Sequence, residues 1–117
     1  MSDRERRLGL NEAVFREVNE RISHIKETFE SSMPSGWQTQ ELDLICECGD
    51  SSCADRISMP FADYEVVRAD PLQFVIVPGH ADTAVEQIIA HEKTYDLVRK
   101  RAGDAAAIAQ ATDPREE

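Results

Sequence analysis

Glu41-Leu42-Asp43-Leu44-Ile45-Cys46-Glu47-Cys48-Gly49-Asp50-Ser51-Ser52-Cys53 is the stretch that decides how this chain folds. Its first half alternates polar and apolar residues and then turns apolar, as a strand entering a core does. Its second half holds all three cysteines of the protein. Zinc prefers thiolates and imidazoles in a closed tetrahedron, and a C-x-C pair grips one ion from both sides of a tight turn. Gly49 is expected to let the backbone fold there. Ser51 and Ser52 are expected to leave amide N–H groups free to donate to the thiolates. Cys46, Cys48 and Cys53 are therefore read as ligands of a structural Zn2+.

Downstream, Arg56-Ile57-Ser58-Met59 reads as a returning strand, so the cysteine loop closes a β-hairpin. Pro60 suits the first turn of a helix, with Phe61, Tyr64 and Val67 on one face and an end before Asp70-Pro71. Phe74–Val77 is a compact β-branched run, a buried strand turned by Pro78-Gly79-His80. Over residues 84–100, Val85, Ile88 and Ile89 fit a helix, while the alternation of Tyr95, Leu97 and Arg99 with Asp96, Val98 and Lys100 fits a strand. A hairpin turning at about 91–94 is the reading adopted.

Upstream, Asn11 is placed to cap a helix. Val14, Phe15, Val18, Ile22, Ile25 and Phe29 recur at helical spacing as its expected core stripe. Glu12, Arg16, Glu17, Glu20, Arg21 and Glu27 are expected on the wet face, and Ser31–Gly36 is expected to stop the helix. The whole reads as an α+β fold, one small domain with a long N-terminal helix on a short, mainly antiparallel sheet. Residues 1–10 are expected to be a flexible N-terminus, 11–101 the zinc-binding domain, and 102–117 an alanine-rich C-terminal helix or disordered tail.

The fourth metal ligand has several candidates. His80 follows a strand and sits on a Pro-Gly turn, where a side chain points at a fixed spot, and it is preferred. His24, on the helix, and His91, near a hairpin tip, compete with it, as do Asp50 and water. The loop also competes with a [2Fe–2S] site and with a redox switch in which Cys46 and Cys48 oxidise and eject the metal. Glu47 and Asp50 flank the loop and are read as turn acids in preference to catalytic bases.

The spacing C-x-C-G-x-x-x-C in Cys46–Cys53 resembles the zinc loop of post-SET segments, which follow the catalytic domain of many lysine methyltransferases. That resemblance covers the loop alone and implies metal ligation by Cys46, Cys48 and Cys53, with a fourth ligand from a distant part of the fold. It carries no methyltransferase activity. The chain from about 11 to 101 is similar to small actinobacterial proteins without an assigned activity. These share the C-E-C-G-x-x-x-C loop, a segment like Tyr64–Pro71 and a Phe-to-Pro-Gly-His strand like 74–80. The likeness implies a small stand-alone domain.

The formal net charge is -10, with 23 acidic and 13 basic residues. Such a field repels phosphate backbones, so nucleic acid is not an expected partner. Arg4, Arg6 and Arg7, and Arg99-Lys100-Arg101, are read as solvated charge. With no apolar run of membrane length and no signal peptide, a cytoplasmic location is expected. Phosphate-binding loops, nucleophile elbows and deaminase signatures are absent. The expected role is a zinc-stabilised interaction or regulatory adaptor module with a protein partner; a homodimer seam on the first helix is the alternative to its stripe being core, the reading preferred. A thiol-based redox or metal sensor and a small metalloenzyme are the alternatives.

Overall fold

The computed structural model describes residues 3–30 and 41–115, with the side chains of 26–30 left aside. Helix α1 runs Asp3–Glu30. Strands β1 (Glu41–Ile45) and β2 (Arg56–Pro60) form an antiparallel hairpin, with Leu42 opposite Met59 and Leu44 opposite Ile57. The short helix α2 (Phe61–Val67) follows, then β3 (Gln73–Ile76), β4 (Glu86–His91) and β5 (Asp96–Lys100). The last three make a second antiparallel sheet in the order β3-β5-β4. Helix α3 (Asp104–Ala111) closes the order of elements.

This is the α+β architecture read from the sequence, with two small antiparallel sheets in place of one. The hairpin forms because Leu42, Leu44, Ile57 and Met59 alternate with polar residues and all point inward. Pro60 sits at the N-cap of α2, where its missing N–H costs nothing. Phe61, Tyr64 and Val67 are the buried face of α2, as their spacing predicts. The 84–100 ambiguity resolves as a hairpin, closed by Glu92 N–H donating to Tyr95 O at 2.8 Å. The alanine-rich segment forms α3, with Ala105, Ala106 and Ala109 buried. It packs close to α1, where a Cβ on Gly9 would lie 3.1 Å from Ala105 Cα.

Helix α1 overturns its sequence reading. It begins well before Asn11, whose side chain lies mid-helix and donates to Gly49 O at 2.9 Å. The expected core residues Val14, Val18 and Ile25 are exposed, with Phe15 and Ile22 only partly covered. Glu12 and Arg16, expected in water, are buried with Asn19 and Ser23. Phe29, Glu27 and the stop at 31–36 lie outside the described residues and side chains.

The physical reason is that each of these buried side chains meets a specific partner. Asn19 Nδ2 donates to Ile45 O at 2.8 Å and Asn19 Oδ1 accepts from Ile45 N–H at 2.9 Å, completing the edge of β1 as a peptide group would. The Arg16 guanidinium donates to Pro71 O and Ala109 O, each at 2.7 Å, and lies over the Phe74 ring. Glu12 and Glu86 both accept from the Lys100 ammonium. Lys100 is thus buried, where the sequence reading placed it in solvent. Arg68 pairs with Glu20 and Asp113, and Arg115 with Glu20 and Glu65, tying the chain end to α1 and α2. Among the described residues, no helix is long and apolar enough to cross a membrane.

Candidate metal centre

The segment between β1 and β2 carries the three cysteines, and the turn after β3 carries His80. Val77-Pro78-Gly79-His80 is a tight turn in which His80 N–H donates to Val77 O at 3.0 Å. Gly79 takes φ 93°, a left-handed value that favours glycine, with proline before it. The cysteine segment is laid beside β3 where Glu47 N–H donates to Val75 O, and is closed on itself where Cys46 N–H donates to Asp55 O, both at 2.9 Å. Those bonds bring the turn and the loop together.

The outcome is a group of four. The ligand atoms of Cys46, Cys48, Cys53 and His80 all lie within 4.8 Å of one another. His80 Nδ1 is 3.5 Å from Cys46 Sγ and 3.7 Å from Cys53 Sγ. On its other side, His80 Nε2 lies 3.5 Å from Asp55 Oδ2, which orients the ring with Nδ1 toward the sulfurs. His24 is exposed on α1, and His91 Nδ1 pairs with Asp96 Oδ1 at 2.8 Å, so neither joins the group.

Burial pushes the Cys46 thiol well above its ordinary range, with Val77 N–H, 3.2 Å from Sγ, favouring the thiolate. Burial raises Cys48 too, opposed by the backbone at Asp50. Thiols in this setting stay protonated unless a cation joins them, and a cation exchanges for their protons. The chemistry of the donor set, soft sulfur plus imidazole, suits zinc.

Several supports of the loop differ from the sequence reading. Ser52 N–H and Ser52 Oγ both donate to Asp50 Oδ1, at 2.9 and 2.7 Å, so that amide closes a turn rather than donating to a thiolate. Asp50 is a turn acid, its carboxyl held below the usual range by Ser52. Gly49 does not take a positive φ. It is required by close approach, because a Cβ there would lie 2.2 Å from Leu8 Cγ on α1.

Glu47 is no exposed turn acid but is wholly buried between two cysteines. It accepts from Asn19 Nδ2 at 2.8 Å, Tyr64 OH at 2.9 Å and Val75 N–H at 3.0 Å. Burial raises its carboxyl, and those donors oppose the rise. The acid is the anchor by which α1, α2 and β3 hold the loop. The only sequence signal for this role was its place between two ligands.

Beside the group lies an open cavity of about 680 Å3, walled by Cys48, His80, Arg7 and Asn11 and crossed by an Arg4–Asp82 ion pair. Fold and cluster together define a small α+β protein with a preformed group of three thiols and one imidazole. No protein-family model, no characterised protein and no solved structure matches the chain.

Proposed function

We propose that Cys46, Cys48, Cys53 and His80 hold one structural zinc ion, and that the protein is a zinc-pinned interaction module rather than a catalyst. The observation that carries this reading is the spacing of the imidazole and two of the sulfurs. With Zn–S near 2.3 Å and Zn–N near 2.0 Å, a tetrahedral site has an S···N edge of about 3.5 Å. The distances from His80 Nδ1 to Cys46 and Cys53 are 3.5 and 3.7 Å. A two-iron cluster spreads its ligand pairs to opposite ends of a diamond core, so a group within 4.8 Å favours a single ion. The post-SET resemblance of the loop supports the same choice.

Four protein ligands leave no position for a reacting water, which argues against catalysis. Redox sensing needs an accessible, low-pKa thiolate, and the burial of Cys46 and Cys48 works against it. An adaptor role is supported by the surface of α1, taken up below.

The test is elemental analysis of protein purified without chelator, with an absorption spectrum of the same sample. One zinc per chain and no colour are expected. Iron with visible bands, or no metal, overturns the reading. Cobalt substitution then separates a structural ion from a catalytic one: a spectrum that shifts on adding cyanide or azide would reveal an open position and overturn the closed site.

A further inference from the structure

Four of the large hydrophobic side chains exposed on the described residues lie on α1: Leu10, Val14, Val18 and Ile25, at 48%, 60%, 39% and 67% exposure. Successive gaps of four, four and seven residues put them on one stripe of the helix. They are exposed because α1 docks by its opposite face, through Glu12, Arg16, Asn19 and Ser23. Rotating the helix to bury the stripe would strip those four groups of their partners, so the apolar face stays outward. An apolar stripe of this continuity on a charged protein marks a contact surface. Beside it, Leu10, Ala13, Val14 and Val18 line a groove of about 390 Å3 that Thr112 closes at the end of α3.

Charge indicates the occupant. The stripe carries one carboxylate and one guanidinium, Glu17 and Arg21, paired along the helix at 3.3 Å. It is therefore locally neutral on a chain of formal net charge -10. A strongly basic partner would be drawn to the acidic surface elsewhere, whereas a second copy meets least repulsion here. The pattern also complements itself under a two-fold axis.

We propose that this face of α1 is the contact between two copies of the chain, helices antiparallel about an axis near Val18. Val18 then packs on its own symmetry mate. Ile25 enters the groove at Leu10 and Val14 of the other copy, and Glu17 comes within one helical turn of the partner's Arg21. The proposal rests on the reading of the protein as an interaction module and names the partner.

Sedimentation equilibrium of the full chain, from about 1 to 200 µM, tests it, with zinc measured on the same samples. The wild type is expected to reach twice the 13.2 kDa chain mass. Val18→Glu should weaken the dimer on the order of a hundredfold, since two charges are buried per contact. Because Val18 is exposed in the single chain, the variant should keep its circular dichroism and zinc. Glu17→Arg should weaken the dimer roughly tenfold at most, and Glu17→Arg with Arg21→Glu should restore it. A wild type at single-chain mass throughout overturns self-pairing and leaves the module reading to another partner. A dimer indifferent to Val18→Glu overturns this face. Loss of zinc would count against the metal reading alone.

Discussion

Two of the clusters of ionisable groups that lie against α1 differ in the source of their counter-charge. The loop group gathers three thiols and an imidazole from two turns distant in sequence. It has no cation of its own. The second gathers Glu12 from α1, Glu86 from β4 and Lys100 from β5, all within 2% of complete burial. Its ammonium is built in, and burial raises the Glu12 carboxyl to about 8 with Lys100 opposing the rise, so Glu12 holds its proton near neutral pH. The first cluster gathers donors that could hold an ion from outside; the second has its counter-ion once the chain folds.

That difference orders the expected effects of breaking each. If the loop holds the proposed zinc, Cys48→Ser removes a ligand of an ion that contributes folding free energy on the order of 10 kcal/mol in small zinc domains. The domain should lose its cooperative melting transition, and chelation of the wild type should do the same. Retained metal stoichiometry and melting temperature in that variant would sink the structural-zinc reading. His80→Ala should weaken metal retention more than His24→Ala or His91→Ala, read by competition with a chromogenic chelator. Equal retention in all three would take the imidazole out of the site.

In the second cluster, Lys100→Met leaves two buried acids, Glu12 and Glu86, without their cation. Removing one partner of a buried ion pair costs about 3–5 kcal/mol, which should lower the melting temperature by about 10 °C or more with zinc content unchanged. A loss of zinc on the same substitution would mean that the two clusters are one unit. Gly49→Ala sits where the helix meets the metal loop. Its Cβ would strike Leu8, and overpacking of this kind costs about 1–3 kcal/mol. Leu8→Ala in the same chain should recover part of the loss, and no recovery would assign the glycine to some cause other than that contact.

The two clusters were also unequally legible in the sequence. Thiols are rare, and three in one loop with strand-like alternation on either side announce both the hairpin and the site. His80 could be placed because a Pro-Gly turn directly after a strand leaves little freedom in where its side chain goes. The Glu12–Glu86–Lys100 cluster gives no such signal. Its members are ordinary charged residues, and only the folded backbone shows that they meet.

The same blindness inverted α1. A periodicity argument assumes that the apolar stripe faces the core, and Val14, Val18 and Ile25 form such a stripe. The core beneath α1, however, offers Ile45 backbone groups, Glu47, Lys100 and the α3 carbonyl ends, and these select Asn19, Glu12 and Arg16. The burial of Glu47 escapes a sequence reading for a related reason: its partners Asn19, Tyr64 and Val75 come from three elements, and no local pattern joins them.

The built-in cluster makes a further claim, in the pH dependence of stability. Glu12 is raised from 4.5 unfolded to about 8 folded, chiefly by burial, with Lys100 opposing. Between those values the native chain holds a proton that the unfolded chain has released. Stability attached to this group is therefore complete below pH 4.5 and is lost as pH rises through about 8. Glu12→Gln keeps the shape and cannot ionise. Measured on zinc-loaded protein, so that the pH dependence of the metal site is common to both, the variant should gain on the wild type as pH rises. The gain should approach about 1.4 kcal/mol per pH unit and level off once Glu12 is ionised in both states. A difference flat from pH 6 to 9 would mean that Lys100 holds Glu12 as an ordinary carboxylate. The cluster would then carry a net negative charge in the interior, and its self-sufficiency, the feature that sets it apart from the metal loop, would be gone.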